Sequence, residues 1–363
     1  MKTKIRKNEQ NPCLCSISLP SRKELSITAS GSSIAELDRA ISEAAASEKA
    51  SLLERFVFAG IQHCPELKNS ANSIDGCVTW LQGDACKDGE VSAMQGFAVS
   101  GTKTMPVTFR GKTVGYSYED DLARYCRLGN IVPTDKSASC EAQTLEVFEA
   151  ISESLKGAGF KFNEIIRTWF YLSRLLNWYK EFNAVRTAFF SQEGVFEKMV
   201  PASTGIGAAN ASGASLACNV LAVQPKSDKI KIAAVDSPMQ SSALNYKSSF
   251  SRAVELSCPT HRCLFISGSA SIDKEGRTVH LGDTEKQIGL TMEVVGALLR
   301  SRGMGWADVS RSIAYFTRMD DRKFFTDYCT QNKLPKFPVA MVHTDICRAD
   351  LLFELEADAI VAN

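Results

Sequence analysis

The fold is decided by a stretch that occurs twice in the chain: EAQTLEVFEAISESLKGAGFKFNEIIRTWFYLSR (residues 141–174) and EKQIGLTMEVVGALLRSRGMGWADVSRSIAYFTR (residues 285–318). The two copies align without a gap, so that residue 285 falls on residue 141, an offset of 144. The coinciding pairs include Glu141/Glu285, Gln143/Gln287, Gly159/Gly303, Arg167/Arg311, Tyr171/Tyr315 and Arg174/Arg318. A shared register of this length indicates an internal repeat.

Each copy predicts the same succession of elements. A strand (YCRLGNIVP or CLFISGSASI) precedes a long helix whose apolar residues recur at helical spacing, as at Leu290, Val294 and Leu298. A glycine then ends the helix in the left-handed conformation, and the strands IIRTWFYL and VSRSIAYF follow. A second helix begins near Trp178 or Phe324, and two strands close each copy. The order is β-α-β-α-β-β, which predicts an α+β fold.

The repeat suggests three segments. Residues 1–50 are rich in Ser, Lys, Glu and Ala, and we assign them to an N-terminal extension. Residues 51–225 are assigned to the first repeat unit, and residues 226–363 to the second, with the two units side by side.

Composition excludes several classes of function. The formal net charge is +1, so no overall field favours nucleic acid or an anionic membrane. No apolar run reaches the roughly 18 residues that a membrane-spanning helix needs. The basic N-terminus is not followed by an apolar stretch like that of a secretory signal. The twelve cysteines form no CxxC pair, so we expect reduced thiols in a cytoplasmic protein.

The last strand carries two carboxylates on one face. Because alternate residues of a strand share a face, Leu351, Phe353 and Leu355 point one way, while Glu354 and Glu356 point the other. If that face meets another unit instead of water, burial raises the pKa of a carboxyl group. Glu354 is then a candidate general acid near neutral pH. The alternative is a solvated outer face on which both glutamates are ordinary surface residues.

Two candidate cation sites lie elsewhere in the chain. Tyr179 and Arg186 are seven residues apart in a helical stretch, so they share a helix face. Tyr246 and Arg252 flank the Ser-rich segment NYKSSFSR between the two repeat copies. Arginine binds carboxylates in a bidentate manner, which suits an anionic ligand. The alternative is that Arg186 is a solvated helix residue and that Arg252 tethers the linker.

The repeat units resemble the YjgF/reactive-intermediate deaminase family, in the strand–loop–helix pattern and in the closing LFELEA. Two fused units of this kind resemble the chorismatases more closely. The matching segments are YKEFNAVR (179–186), PASTGIG (201–207), FSRA (250–253), LFISGSASI (264–272) and TDICRADLLFELEA (344–357). This resemblance implies cleavage of the enolpyruvyl ether of chorismate, which releases pyruvate.

The resemblance also implies residue roles. Glu354 corresponds to the catalytic acid, and Tyr179, Arg186, Tyr246 and Arg252 correspond to substrate-binding residues. Cys347 and Gly268 resemble the residues of the members that form hydroxybenzoate, with Cys347 as a second catalytic residue and Gly268 leaving room beside the ring. We therefore expect 3-hydroxybenzoate as the second product. If residues 348–349 form a tight turn, however, Cys347 and Glu354 lie about 13 Å apart along the hairpin.

Three other functions stay open. The same site could hydrolyse chorismate to a dihydroxycyclohexadiene carboxylate, in which case Cys347 is a small buried residue. The chain could be an imine deaminase, but those enzymes carry an arginine fifteen residues before the first closing glutamate, and here that residue is Val339. It could also be a non-catalytic ligand-binding protein, although such a protein has no use for a buried acid.

No cofactor or metal ion is expected. The chain has four histidines, none at i,i+4 spacing, and GIGAANASG (205–213) does not follow strand–turn–helix order. The expected partner is chorismate, with neither nucleic acid nor membrane, in a monomer or a small homo-oligomer.

Overall fold

The structure is a computed structural model, which describes residues 3–8, 10–65, 77–83, 90–246 and 248–363, with only the backbone of Tyr246. The described residues form three units in chain order. The first contains β1 (Lys4–Asn8), β2 (Cys13–Ser18), β3 (Lys23–Ser30), α1 (Ile34–Ser47), β4 (Ser51–Ala59), β5 (Val78–Gly83) and β6 (Val91–Ser100).

The second and third units contain the repeat. The second unit consists of β7 (Met105–Phe109), β8 (Lys112–Glu119), β9 (Ala123–Ile131), α2 (Cys140–Gly157), β10 (Ile165–Leu172), α3 (Tyr179–Gln192), α4 (Val195–Lys198), β11 (Ala202–Asn210) and β12 (Leu216–Pro225). The third consists of β13 (Lys231–Val235), β14 (Ala253–Ser257), β15 (His261–Ala270), α5 (Thr284–Ser301), β16 (Val309–Phe316), α6 (Arg322–Gln331), β17 (Ala340–His343) and β18 (Phe353–Ala362).

All three units have the same strand order. Within each unit the order across the sheet is first, second, third, sixth, fourth, fifth, as in β13-β14-β15-β18-β16-β17. The fourth and fifth strands are parallel and the other pairs antiparallel. The sheets of the first and second units join through antiparallel β5 and β11 into one 12-stranded sheet, and the third unit has its own 6-stranded sheet. The predicted α+β class is confirmed.

The structure corrects the boundaries predicted for the N-terminal half. Residues 1–50 are not an extension, because β3 pairs with β6 along its whole length and β4 pairs with the other side of β6. The boundary at residue 50 therefore falls inside a complete unit, between α1 and β4. The sequence repeat did not reveal this unit because it lacks the arginine and tyrosine of the other two: Glu54 and Phe58 stand at the sheet positions of Arg167 and Tyr171.

The units form a closed ring. β5 contacts β9, β11 contacts β15, and β17 contacts β3 and β6, so each unit touches both of the others. One apolar core lies where the inner sheet faces meet and takes residues from all three units, among them Phe56, Trp169 and Ile313. Three further cores, one in each unit, lie between the strands of that unit and its own helices. A side chain on the inner face of a strand is therefore buried between units.

The local predictions for the repeat are confirmed. IIRTWFYL and VSRSIAYF are β10 and β16. Gly159 and Gly303 follow α2 and α5 with φ of +79° and +67°. The side chains of Ser139 and Asp283 accept hydrogen bonds from backbone amides in the first turn of these helices, which satisfies one of the free donors there. No helix in the described ranges is both long and apolar enough to cross a membrane.

Candidate active site

The two glutamates of β18 point between units. Phe353, Leu355 and Ala357 pack into the core beneath α5, whereas Glu354 and Glu356 lie on the opposite face and are 4% and 0% exposed. The solvated outer face considered from the sequence is therefore excluded. β18 lies between β15 and β16, where Glu354 is opposite Ala270 on one side and Tyr315 on the other.

Glu356 is held as an ion. Its carboxylate contacts the guanidinium groups of Arg167 from the second unit at 2.9 Å and Arg311 from the third at 2.7 Å. The indole of Trp169 also donates a hydrogen bond to it at 3.0 Å. Burial opposes ionisation, but the two arginines outweigh it and lower the pKa of Glu356. The repeated arginine of the sequence thus supplies both cations for one carboxylate.

Glu354, in contrast, is protonated at neutral pH. Among the described residues it has no ion pair of the kind that holds Glu356. Burial, followed by the negative charge of Glu356, raises the pKa of Glu354 to about 8, against the smaller opposing effects of Arg167 and Arg252. Two identical side chains two residues apart therefore have opposite protonation states at neutral pH.

Glu354 faces a cavity between the second and third units. Five other residues singled out from the sequence also line it: Tyr179, Arg186, Arg252, Gly268 and Cys347. The remaining lining residues are Ser203, Gly205, Ser248, Phe250, Ala270, Ile272 and Arg348. The side chain of Tyr246, also predicted to bind substrate, lies outside the part that the structure describes.

Helix α3 presents Tyr179 and Arg186 to this cavity. Arg186 is 1% exposed, so it is not a solvated helix residue. Asn183 lies between the two on the same helix face. Its carbonyl oxygen accepts a hydrogen bond from Arg186 Nη2 at 2.6 Å, and its amide donates one to the backbone oxygen of Tyr179 at 2.8 Å. These two hydrogen bonds fix the direction of the Arg186 guanidinium group.

Arg252 lies within the third unit, directly before β14, and not in a linker between the units. The preceding Ser251 pairs with Ala202 of β11 in a short parallel bridge, and Ser267 N donates to the Arg252 carbonyl at 3.0 Å. Arg252 Nε donates to the Ser241 carbonyl at 3.0 Å. The loop between β13 and β14 is thus fastened to the second and third units, and the buried Arg252 guanidinium is held beside the cavity.

Cys347 reaches the same cavity because its loop is wide. β17 ends at His343 and β18 begins at Phe353, so the hydrogen-bonded turn, in which Leu351 N donates to the Arg348 carbonyl at 3.1 Å, belongs to a longer loop and not to the tight hairpin considered at residues 348–349. The expected separation along a hairpin does not apply, and Cys347 and Glu354 line one cavity. Burial, followed by the charge of Glu354, raises the pKa of the Cys347 thiol to about 12, so it is protonated at neutral pH.

The space at Gly268 differs from the prediction. A Cβ atom added to Gly268 would overlap a carboxyl oxygen of Glu354. The absent side chain therefore makes room for the acid itself, and not for open space beside a ring. A larger residue at position 268 must move Glu354.

Sequence reasoning missed seven lining residues and tested one position in the wrong unit. Arg348 and Ser203, two of the seven, lie in the quoted segments TDICRADLLFELEA and PASTGIG, which was the available signal. Val339 directly precedes β17 of the third unit, but the strand that lines the cavity opposite Glu354 is β11 of the second unit. The register places Ser203 there at the position of Val339, so no arginine occurs at either position.

A second cavity, of about 60 Å³, lies where all three units meet. Its charged groups are already paired: Arg22 contacts Glu24 at 2.8 Å, and Arg127 contacts Glu54 at 2.9 Å. None of the predicted site residues lines it. Within the described ranges, no group of three or more His, Cys, Asp or Glu side chains is placed to hold a metal ion. The cavity at Glu354 is therefore the candidate active site.

Comparison with known proteins agrees with this arrangement. The family model "Chorismatase FkbO/Hyg5-like, N-terminal" matches residues 107–222, which fall in the second unit. A chorismatase from Streptomyces hygroscopicus is 30% identical over 63% of this chain and 70% of its own length. This chain belongs to the chorismatase family. A 3-hydroxybenzoate synthase from the same organism is 24% identical over 68% of this chain and 76% of its own length.

The fold of the family is also shared. A crystal structure of a chorismatase superposes with a TM-score of 0.64, covering 85% of this chain and 93% of that protein, at 21% sequence identity. At this identity the likeness supports the fold and not the chemistry, which must be argued from the residues themselves.

Proposed function

We propose that this chorismatase-family protein cleaves the enolpyruvyl ether of chorismate and releases pyruvate and 3-hydroxybenzoate, with Glu354 as the general acid. The observation that carries the proposal is a buried carboxyl group whose pKa is raised to about 8, in a cavity that also contains three arginines. The names of the chorismatase and the 3-hydroxybenzoate synthase among the relatives support the same substrate.

The cations suit a substrate with two carboxylates. Arg186 and Arg348 lie on different sides of the cavity, one on α3 and one on the loop before β18, and Arg252 lies directly before β14. Guanidinium groups bind carboxylates in a fixed bidentate geometry, so separate arginines can fix the two ends of chorismate. Tyr179 adds a phenol beside Arg186.

The first chemical step is protonation of carbon. Glu354 transfers its proton to the methylene carbon of the enolpyruvyl group, which leaves an oxocarbenium-like centre and weakens the bond between the ether oxygen and the ring. An acid with a pKa near 8 is largely protonated at neutral pH, as this step requires. Glu356 cannot take this role because its two arginines keep it ionised.

The second step decides the product. As pyruvate leaves, the neighbouring ring hydroxyl oxygen attacks the ring carbon and its proton returns to Glu354. The bond from this bridging oxygen to the carbon that first carried the hydroxyl then breaks. The carbon that keeps the oxygen gives up its proton and the oxygen takes up a proton, so the ring becomes aromatic with no net change in protons. No water is consumed, unlike in hydrolysis to the dihydrodiol acid. Cys347 has a raised pKa of about 12 and so acts as a neutral thiol beside the ring, able to pass a proton without the hydration of a carboxylate.

The test is an incubation of the purified protein with chorismate, in which pyruvate is measured by a coupled dehydrogenase and the ring product by chromatography and absorbance. We expect equal amounts of pyruvate and 3-hydroxybenzoate. Cys347→Ala should keep pyruvate release and move the ring product toward the dihydrodiol acid. An unchanged ring product in this variant would remove Cys347 from the mechanism, and a wild type that releases no pyruvate would contradict the proposal.

A further inference from the structure

Thr204 is a fully enclosed residue of β11, with 1% of its surface exposed, and its hydroxyl accepts hydrogen bonds from two groups. The backbone amide of Gly268 donates to it at 3.1 Å, and Arg167 Nη2 donates to it at 2.8 Å. Arg167 Nη2 also donates to the carboxylate of Glu356 at 2.9 Å. One hydroxyl of the second unit is therefore linked to Gly268 of the third unit directly and to Glu356 through Arg167.

Both Gly268 and Glu356 act on Glu354. Gly268 lies against the Glu354 carboxyl group, and the Thr204 methyl group is 3.3 Å from the point where a Gly268 Cβ would stand. Glu356 is the fixed negative charge that disfavours ionisation of Glu354. Thr204 does not line the cavity, so a ligand there does not touch it. Thr204 contacts the residues around Glu354 on the side away from the cavity.

The molecule contains an internal copy of this arrangement without the acid. Thr79 stands in the first unit at the register position of Thr204, and its hydroxyl donates to Asn219 Oδ1 at 2.9 Å. Asn219 stands in the second unit at the position of Glu356. The position of Glu354 is occupied there by Ala217. A buried, hydrogen-bonded threonine thus stands at this register position once beside an acid and once beside an alanine.

We infer that Thr204 is a positioning residue for Glu354: through Gly268, and through Arg167 and Glu356, it fixes where the acid stands. This inference rests on the proposed function. Thr79 is a buried, hydrogen-bonded threonine at the same register position with no acid beside it, so the two positions separate positioning from stability.

The experiment compares Thr204→Val, Thr204→Ser and Thr79→Val in pyruvate release from chorismate. Thr204→Val keeps the shape of the side chain but removes the acceptor of the Gly268 amide and one of the two acceptors of Arg167 Nη2. We expect kcat to fall about tenfold or more, with KM changed less than about twofold because the substrate does not touch residue 204. The amide freed beneath Glu354 favours the carboxylate, so the alkaline limb of the kcat profile should move to lower pH.

The controls separate the outcomes. Thr204→Ser should restore most of kcat, and Thr79→Val should lose thermal stability with kcat unchanged. If Thr204→Val keeps the kcat of the wild type, or if Thr79→Val lowers kcat equally, the inference is wrong.

A second measurement does not depend on activity. The melting temperatures of Thr204→Val, Glu354→Gln and the double variant should depart from additivity by at least about 2 °C, whereas the corresponding Thr79 cycle should be additive. If the wild type releases no pyruvate, the proposed function fails, but this cycle still tests the link between Thr204 and Glu354. Additivity in the Thr204 cycle would overturn the inference.

Discussion

The interface between the second and third units and the interface between the first and second are built on the same sheet positions but have different contents. The former has Glu354 on the sixth strand and Gly205 on the fifth. The latter has Ala217 and Trp80 at these positions. Trp80 is 2% exposed and packs into the core beneath α1, with its indole donating to the Ala59 carbonyl at 2.9 Å.

The two interfaces also carry different charged residues at corresponding sheet positions. Glu356 of the third unit pairs with Arg167 of the second, whereas Asn219 of the second unit donates at 2.7 Å to Glu54 of the first. Glu54 stands at the position of Arg167. The scaffold therefore tolerates either sign at this point, provided that a partner is present. What distinguishes the candidate active site is the additional acid, Glu354, which has no ion pair in the part of the chain that the structure describes, and the space in front of it.

The largest effect is expected from removal of the acid. Glu354→Gln should lower the rate of pyruvate release by about 10³-fold while chorismate still binds, because a positioned acid contributes on the order of 10²–10⁴-fold. Rate and binding are measured by the coupled assay and by calorimetry. The exposed Glu285→Gln variant is a matched control and should behave as the wild type. Equal rates for Glu354→Gln and wild type would show that another group protonates the substrate.

The second prediction makes one interface resemble the other. Gly205→Trp should fill the cavity beside Tyr179, whose hydroxyl lies 3.5 Å from the position of a Gly205 Cβ. We expect KM for chorismate to rise more than about tenfold, since a group that occupies the binding space opposes the substrate directly. Gly305→Trp, at a position with no atom within 4 Å of an added Cβ, is the control. An unchanged KM would place the substrate elsewhere.

The third prediction moves the acid. Ala217→Glu in the Glu354→Gln background should not restore pyruvate release, because Ala217 is buried and is not one of the residues that line the cavity. It should also lower the free energy of unfolding in urea by roughly 2–5 kcal/mol, the cost of a buried carboxyl group without a designed partner. Restored activity would mean that the two interfaces are equivalent.

The fourth prediction concerns pH. Because Glu354 must be protonated, kcat/KM should fall as the pH rises through about 8, the pKa of the folded state. The same raised pKa predicts how the stability of the folded protein depends on pH. The folded pKa lies above the ordinary 4.5, so wild type should lose stability relative to Glu354→Gln as the pH rises from about 4.5 to about 8, by at most a few kcal/mol. Denaturant unfolding of both proteins at several pH values measures this, and a constant difference would mean that Glu354 is not protonated.

The smallest effect is expected at Gly268. Gly268→Ala should lower kcat by about tenfold, because the added methyl group displaces the Glu354 carboxyl group without removing it. The ratio of 3-hydroxybenzoate to dihydrodiol acid should change with it. Gly289→Ala is the control, since an added Cβ there has only Tyr328 at 3.9 Å. A normal rate with Gly268→Ala would show that the acid adapts freely.

Local features of the fold could be predicted from the sequence because they depend on neighbours in the chain. Alternation on β18 and helical spacing in α5 gave the correct faces, and the repeat gave the boundaries of β10 and β16. The candidate site residues came from resemblance and motif position, and the structure brings six of them to one cavity. The first unit was missed because its identity rests on strand pairs such as β3 with β6, which are distant in sequence.

The sequence by itself determined that Glu354 and Glu356 share a face and that the two repeat copies carry an arginine at the same position. Only the tertiary structure decided that both arginines turn to Glu356 and that Glu354 faces a cavity, with no such ion pair among the described residues. The physical reason is that a pKa depends on burial and on charges within a few ångströms, and the packing of the units brings Arg167 of the second unit to Glu356 of the third.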